Sequence, residues 1–184
     1  MALVALLDAN ILYSAFLRDL FLRLDLAGAY KAKWTDQIQN EWMSNLMIAR
    51  PDIKPEQLRR IRDKMDENVL DSRVTNFEHR IEIITLPDLH DRHVLAAALE
   101  CGAPYIITLN LKDFPATSMG TVEAIHPDLF IEKLCVVARD CVIEASRMHL
   151  EALKKPALTK DQYILKCLAL GLKQLAAFLS QNLN

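Results

Sequence analysis

The chain has 184 residues and a formal net charge of −2, with 52% hydrophobic and 25% charged residues. Such a composition describes a globular domain that buries about two-thirds of the surface its unfolded chain exposes, without staples. Four glycines and seven prolines exclude a low-complexity chain, and the charge balance excludes a global positive field for a polyanion.

The apolar opening Met1-Ala2-Leu3-Val4-Ala5-Leu6-Leu7 is too short to span a bilayer, and it lacks the marks of a cleaved secretion signal. Residues 2–7 read as a central parallel strand covered on both faces, with Asp8 at its end. Asn10 then caps a helix whose apolar positions are Ile11, Leu12, Ala15, Phe16, Leu20 and Leu24. Ala32-Lys33-Trp34 forms a short second strand. Thr35 or Asp36 caps a helix with Ile38, Trp42, Leu46 and Met47 on its inner stripe. Pro51 and Pro55 break the chain before a charged helix from about Glu56 to Leu70. Its Arg59-Arg60-Ile61-Arg62 run is a solvated face.

A short helix near Thr75–Ile83 leads into the extended run Ile84-Thr85-Leu86. Asp88 to Glu100 is a helix closed by Gly102, and Tyr105–Leu109 is a second continuous apolar strand. Val122–Ile125 is a last short strand, and the chain is helical from Asp128 onward. There Thr159-Lys160-Asp161-Gln162 is a capping box, and Gly171 separates the final helix pair. The apolar tail positions Leu168, Leu172, Leu175, Phe178 and Leu179 read first as core, ahead of self-association or partner docking. Strands alternating with helices predict an α/β fold with a mostly parallel sheet.

Four cysteines, Cys101, Cys135, Cys141 and Cys167, form no C-x-x-C pair and no zinc spacing. They suit reduced thiols in a cytoplasmic protein. His90 and His93 read as exposed residues at a helix start, and His79, His126 and His149 stand singly with no assigned role.

The acids carry the functional signal. Asp8 follows the first strand, Asn110 and Asp113 follow the strand 105–109, and Asp88 and Asp91 open a helix. Open α/β sheets bind ligands outside the carboxyl ends of their strands. Glu41 adds a fourth segment, at the border of a buried stripe beside Trp42. Each acid alone has an ordinary explanation as a cap, a turn residue or a solvated side chain. Their joint placement at one sheet edge does not. No lysine or arginine is placed to pair with all of them, and hard oxygen donors favour Mg²⁺ or Mn²⁺ over zinc.

With these residues assembled, the chain resembles the PIN-domain ribonucleases, particularly the bacterial VapC-like toxin members. The resemblance rests on Leu6-Leu7-Asp8-Ala9-Asn10-Ile11-Leu12, Asn40-Glu41-Trp42, the run from Pro87 to Ala98, Ile107 to Pro115, and His126-Pro127-Asp128. It implies a three-layer α/β/α PIN domain over residues 1–130, with residues 131–184 as a C-terminal helical extension. It also implies a quartet of metal-holding acids, Asp8, Glu41, Asp91 and Asp113, with Thr108 as a strand-end hydroxyl and Asp88 as an accessory acid. Many members carry Asp where this chain has Asn110, and Asp113 takes that part here.

The implied activity is Mg²⁺- or Mn²⁺-dependent cleavage of RNA. Asp8, Asp91 and Asp113 would hold the principal ion, Glu41 a second ion or the attacking water, and Arg92 and Lys112 would help bind substrate. Toxin-like members further imply an antitoxin partner and a homodimer. The opposing expectation is a catalytically inactive PIN-like RNA-binding or scaffold module, which Asn110 keeps open. A dehalogenase-like phosphatase would need a second Asp where Asn10 stands.

Overall fold

The computed structural model describes residues 3–183. Its first strand, β1 (Leu3–Leu7), sits centrally, flanked by β2 (Tyr30–Lys33) on one side and by β3 (Tyr105–Ile107) and β4 (Glu123–Ile125) on the other. All pairings are parallel, in the order β2-β1-β3-β4. Parallel neighbours require crossovers, and helices supply them on both faces. This is why β1 needs Ala5, Leu6 and Leu7 fully buried, with no polar alternation. Ala2, at the start of the expected strand, lies outside the described residues.

The helix expected after β1 is two helices, α1 (Ala9–Tyr13) and α2 (Ala15–Leu26). Ser14 leaves helical geometry, with ψ of 113°, and its hydroxyl accepts from the Leu17 amide to start the second. The break rotates the apolar stripe, so Leu17, Phe21 and Leu24 are buried while Ala15 is exposed. Buried Arg18 secures the corner by donating to the Leu12 carbonyl and lying 4.7 Å over the Trp42 ring. Asn10 is not the cap; Asp8 is.

Next come α3 (Asp36–Ala49), capped by Thr35, and α4 (Pro55–Asn68). Ile38 and Trp42 are buried as the stripe predicts, whereas Leu46 and Met47 are half-buried. Glu78–Ile83 is a tighter 3₁₀ segment, and Ile84 and Leu86 bury their side chains without joining the sheet. The helix expected from Asp88 begins at Arg92: a 3₁₀ turn over Leu89–Asp91 precedes α5 (Arg92–Glu100). Asp88 holds that turn by accepting from the His90 amide at 2.8 Å. Gly102, at φ of +65°, ends α5 in the left-handed region, where the Ala103 amide reaches the Ala98 carbonyl at 2.9 Å. β3 is shorter than predicted, because Leu109 is already exposed beyond the edge.

Four helices complete the chain: α6 (Pro127–Val137), α7 (Arg139–Ala152), α8 (Lys160–Ala169) and α9 (Lys173–Asn182). The capping box at Thr159 and Gln162 is present. Asp128 on α6 accepts from the Gln174 amide at 3.0 Å and the Leu175 amide at 3.2 Å, so one helix caps the start of another. α7 packs on α2, and His149 joins Phe16 and Tyr163 in a buried aromatic group. Of the apolar tail, Leu172, Leu175 and Leu179 are fully buried, whereas Leu168 keeps 45% of its surface exposed. Among the described residues no helix is long and apolar enough to cross a membrane, and all four cysteines are free thiols.

Candidate metal centre

The centre begins where β1 ends. The Asp8 amide extends the sheet by donating to the Ile107 carbonyl at 3.1 Å, which carries its side chain onto the carboxyl edge. That side chain is only 5% exposed. It accepts from the Ala9 amide at 2.6 Å, the Asn10 amide group at 2.6 Å and the Thr108 hydroxyl at 2.7 Å. Asn10 also donates to Thr108 at 2.9 Å and accepts from the Leu109 amide at 3.1 Å. A polar mesh therefore ties the ends of β1 and β3 and fixes Asp8. Burial pushes its carboxyl pKa up, partly opposed by the Thr108 hydroxyl and the Ala9 amide.

A second group forms beside the first. Asp88, Asp91 and Asp113 each offer a carboxylate oxygen, and the three oxygens lie within 4.8 Å of one another. Asp91 sits between the 3₁₀ turn and α5, and its side chain caps nothing. Asp113 closes the turn Leu111–Asp113, held by a hydrogen bond from the Asn110 amide group. Asp8, Asn10, Tyr13, Glu41, Asp91 and Asn110 line one cleft of about 540 Å³. Asp91 belongs to both groups. Its pKa is raised to about 6, first by burial and then by the charges of Asp8, Asp88, Asp113 and Glu41. Four carboxylates thus gather around a fifth, Asp91, from four stretches of chain in all.

Little opposes them. Arg92 turns its Nε to the Leu89 carbonyl at 3.2 Å, and Lys112 is exposed. Among the described residues neither forms an ion pair. The side chain that does approach is His93, whose Nε2 lies 3.6 Å from Glu41. His93 is 4% exposed, which corrects its expected place on the surface. It opens the run His93–Ala98, in which every residue is buried. His90, by contrast, is exposed as expected.

All the acids singled out in the sequence meet here, with Thr108 and Asn110 among them and Arg92 and Lys112 on the same turns. Asn10 and His93 were missed as members. The apolar residues following His93 were the available signal of its burial; nothing local reveals that Asn10 spans two strands. The donor set is oxygen throughout, without cysteine, and it fits a hard divalent cation such as Mg²⁺ or Mn²⁺ rather than zinc. Half-buried carboxylates without cations are stable only where something else balances their charge.

A family model described as PIN domain matches residues 4–112, more than half of the chain. No curated protein and no solved structure matches it.

Proposed function

Since the chain belongs to the PIN-domain family, whose members are generally nucleases acting on RNA, we propose that it is a divalent-metal-dependent endoribonuclease. The observation that carries this reading is the sharing of Asp91 between two acid groups, the Asp88–Asp91–Asp113 triad and the cleft with Asp8 and Glu41. The triad offers ligands for one Mg²⁺ or Mn²⁺. Asp8 and Glu41, with Asp91, offer a second set or a place to orient the attacking water. This moves Asp88 from an accessory role into the ligand set and places Asp8 toward the second position.

A divalent cation bound there supplies Lewis-acid stabilisation of the phosphoryl oxygens and a more acidic water. The chain's own residues do the rest. Thr108 and Asn10 hold the Asp8 carboxylate in one orientation, and the Asn110 amide does the same for Asp113. Arg92 and Lys112 contact the flanking phosphates, where cations position a strand without reading its sequence.

The finer reading is a toxin of a toxin–antitoxin pair, acting in the cytoplasm, with an antitoxin and a second copy of the chain as partners. The ordered VapC-like motifs over residues 3–130 support it. Incubation with mixed-sequence single-stranded RNA tests the activity. Cleavage is expected with Mg²⁺ or Mn²⁺, and its persistence in EDTA would contradict the metal role. Binding of RNA without cleavage would favour an inactive binding or scaffold module. Growth arrest on expression in a bacterial host, relieved by Asp91→Asn, is the result expected of a toxin.

A further inference from the structure

On α3, Gln37, Asn40, Ser44 and Asn45 form an exposed stripe at helical spacing around Glu41. With His90 and His93 they line a polar cleft of about 450 Å³. Glu41 and Asn45 also line the hollow that holds Asp8 and Asp91, so the two clefts share a wall. Among the described residues, the side chains of Gln37, Asn40, Ser44, Asn45 and His90 make no hydrogen bond. The neighbouring Gln39 differs: it is buried and accepts from the Trp42 indole at 2.6 Å. The stripe therefore presents amide and hydroxyl groups that the fold itself does not use.

Its chemistry is selective. The cleft has no lysine or arginine in its lining, so it does not suit a phosphate, which is held by cations. Asn and Gln amides match the donor and acceptor edges of bases. Unstacked bases of single-stranded RNA also stack on aromatic rings, including imidazole. Beyond Asn40 lies a smaller hollow of about 250 Å³ lined by Asp36, Asp63, Asp66, Arg62 and Arg73. There three acids face two arginines that are already paired with them, which gives a phosphate backbone no reason to continue that way.

We propose that this cleft recognises the nucleobase adjoining the scissile phosphate of a single-stranded RNA, with His90 stacking on the base and Gln37 and Asn40 reading its edge. The proposal rests on the endoribonuclease reading, and it adds a source of sequence preference to a metal centre that has none of its own.

The first experiment needs neither metal nor turnover. Adenosine, guanosine, cytidine and uridine are titrated in turn into the full-length chain while the side-chain amide and imidazole NMR signals are followed. Saturable shifts of Gln37, Asn40 and His90, larger for one nucleoside than for the others, are expected. Shifts confined to other residues, or none at millimolar nucleoside, would overturn the proposal. The second arm sequences the cut ends of a randomised RNA in Mg²⁺. The wild type should prefer one base beside the cut by about tenfold, the size of one good amide–base pair, and the Gln37→Ala/Asn40→Ala double variant should lose that preference. Cleavage without base preference, or an unchanged preference in the variant, would refute the subsite and leave the nuclease reading intact. Absence of cleavage would refute the nuclease reading, while the nucleoside titration still decides the subsite.

Discussion

Two acidic regions of this molecule are built in opposite ways. At the α3–α4 corner, Asp36 pairs with Arg73, Asp63 with Arg62 at 2.8 Å, and Asp66 accepts from the Trp34 indole at 2.9 Å. At the carboxyl edge of the sheet, Asp8, Glu41, Asp88, Asp91 and Asp113 gather, and among the described residues no lysine or arginine forms an ion pair with them. The first arrangement balances its own charge and is complete as it stands. The second leaves its charge uncompensated by the fold and could hold a cation. Acid content therefore says little about a site, whereas failure to compensate it inside a structured cleft says much.

The largest expected effect separates the regions by activity. Asp91→Asn should reduce metal-stimulated RNA cleavage by more than about 100-fold, since even losing a residue that only orients a metal ligand costs about 10–100-fold. Arg73→Ala, at the balanced corner, should leave the cleavage rate unchanged in the same assay.

A buried histidine elsewhere in the fold sharpens the contrast through pH. His149 lies on α7 with its Nδ1 2.9 Å from the Tyr163 hydroxyl and its Nε2 3.5 Å from Asp19. Burial lowers its pKa to about 4, against the opposing pull of Asp19 and with a smaller lowering contribution from Arg23. The unfolded chain therefore takes up this proton first as pH falls. The resulting stability is full above about pH 6.5 and is lost between there and pH 4, by on the order of 2–3 kcal/mol. Denaturant midpoints measured across that range should fall in the wild type and fall less in His149→Gln.

Smaller effects concern the metal-free cleft. The Asp91 carboxyl is held above its ordinary pKa, so its ionisation costs stability once pH exceeds the unfolded value. In EDTA at neutral pH, Asp91→Asn should stabilise the fold by about 1 kcal/mol, after discounting for solvent screening. Below about pH 4 the gain should vanish, because both states are then protonated. Thermal melts with and without EDTA read this directly. Smallest of all, Arg73→Ala should cost less than about 1 kcal/mol, as exposed ion pairs usually do.

The sequence made the sheet edge legible because uniformly apolar strands such as Leu3–Leu7 can only be central in a parallel sheet, and residues just after them must face the ligand side. Asp8 and Asn110 follow from that rule, whereas Thr108 was expected only from the family resemblance. Helix interiors were equally readable from the stripe of Ile38 and Trp42. The misses were at junctions. A single hydroxyl, Ser14, divides α1 from α2, and Asp88 diverts the chain into a 3₁₀ turn before α5. Both are local side-chain-to-backbone choices that periodicity does not register. Asp88 joined the triad for the same reason, since the turn rather than a regular helix sets its direction. The bridging role of Asn10 depends on contacts between segments far apart in the chain, which no local pattern encodes, whereas the burial of His93 is signalled only by the apolar run that follows it.

Titration of Mn²⁺ into the metal-free, full-length chain near pH 7.5, followed by calorimetry, tests the central claim most directly. Saturable binding that is abolished or sharply weakened by Asp91→Asn and unchanged by Arg73→Ala is the predicted result. Absence of binding, or binding that Asp91→Asn leaves untouched, would contradict it.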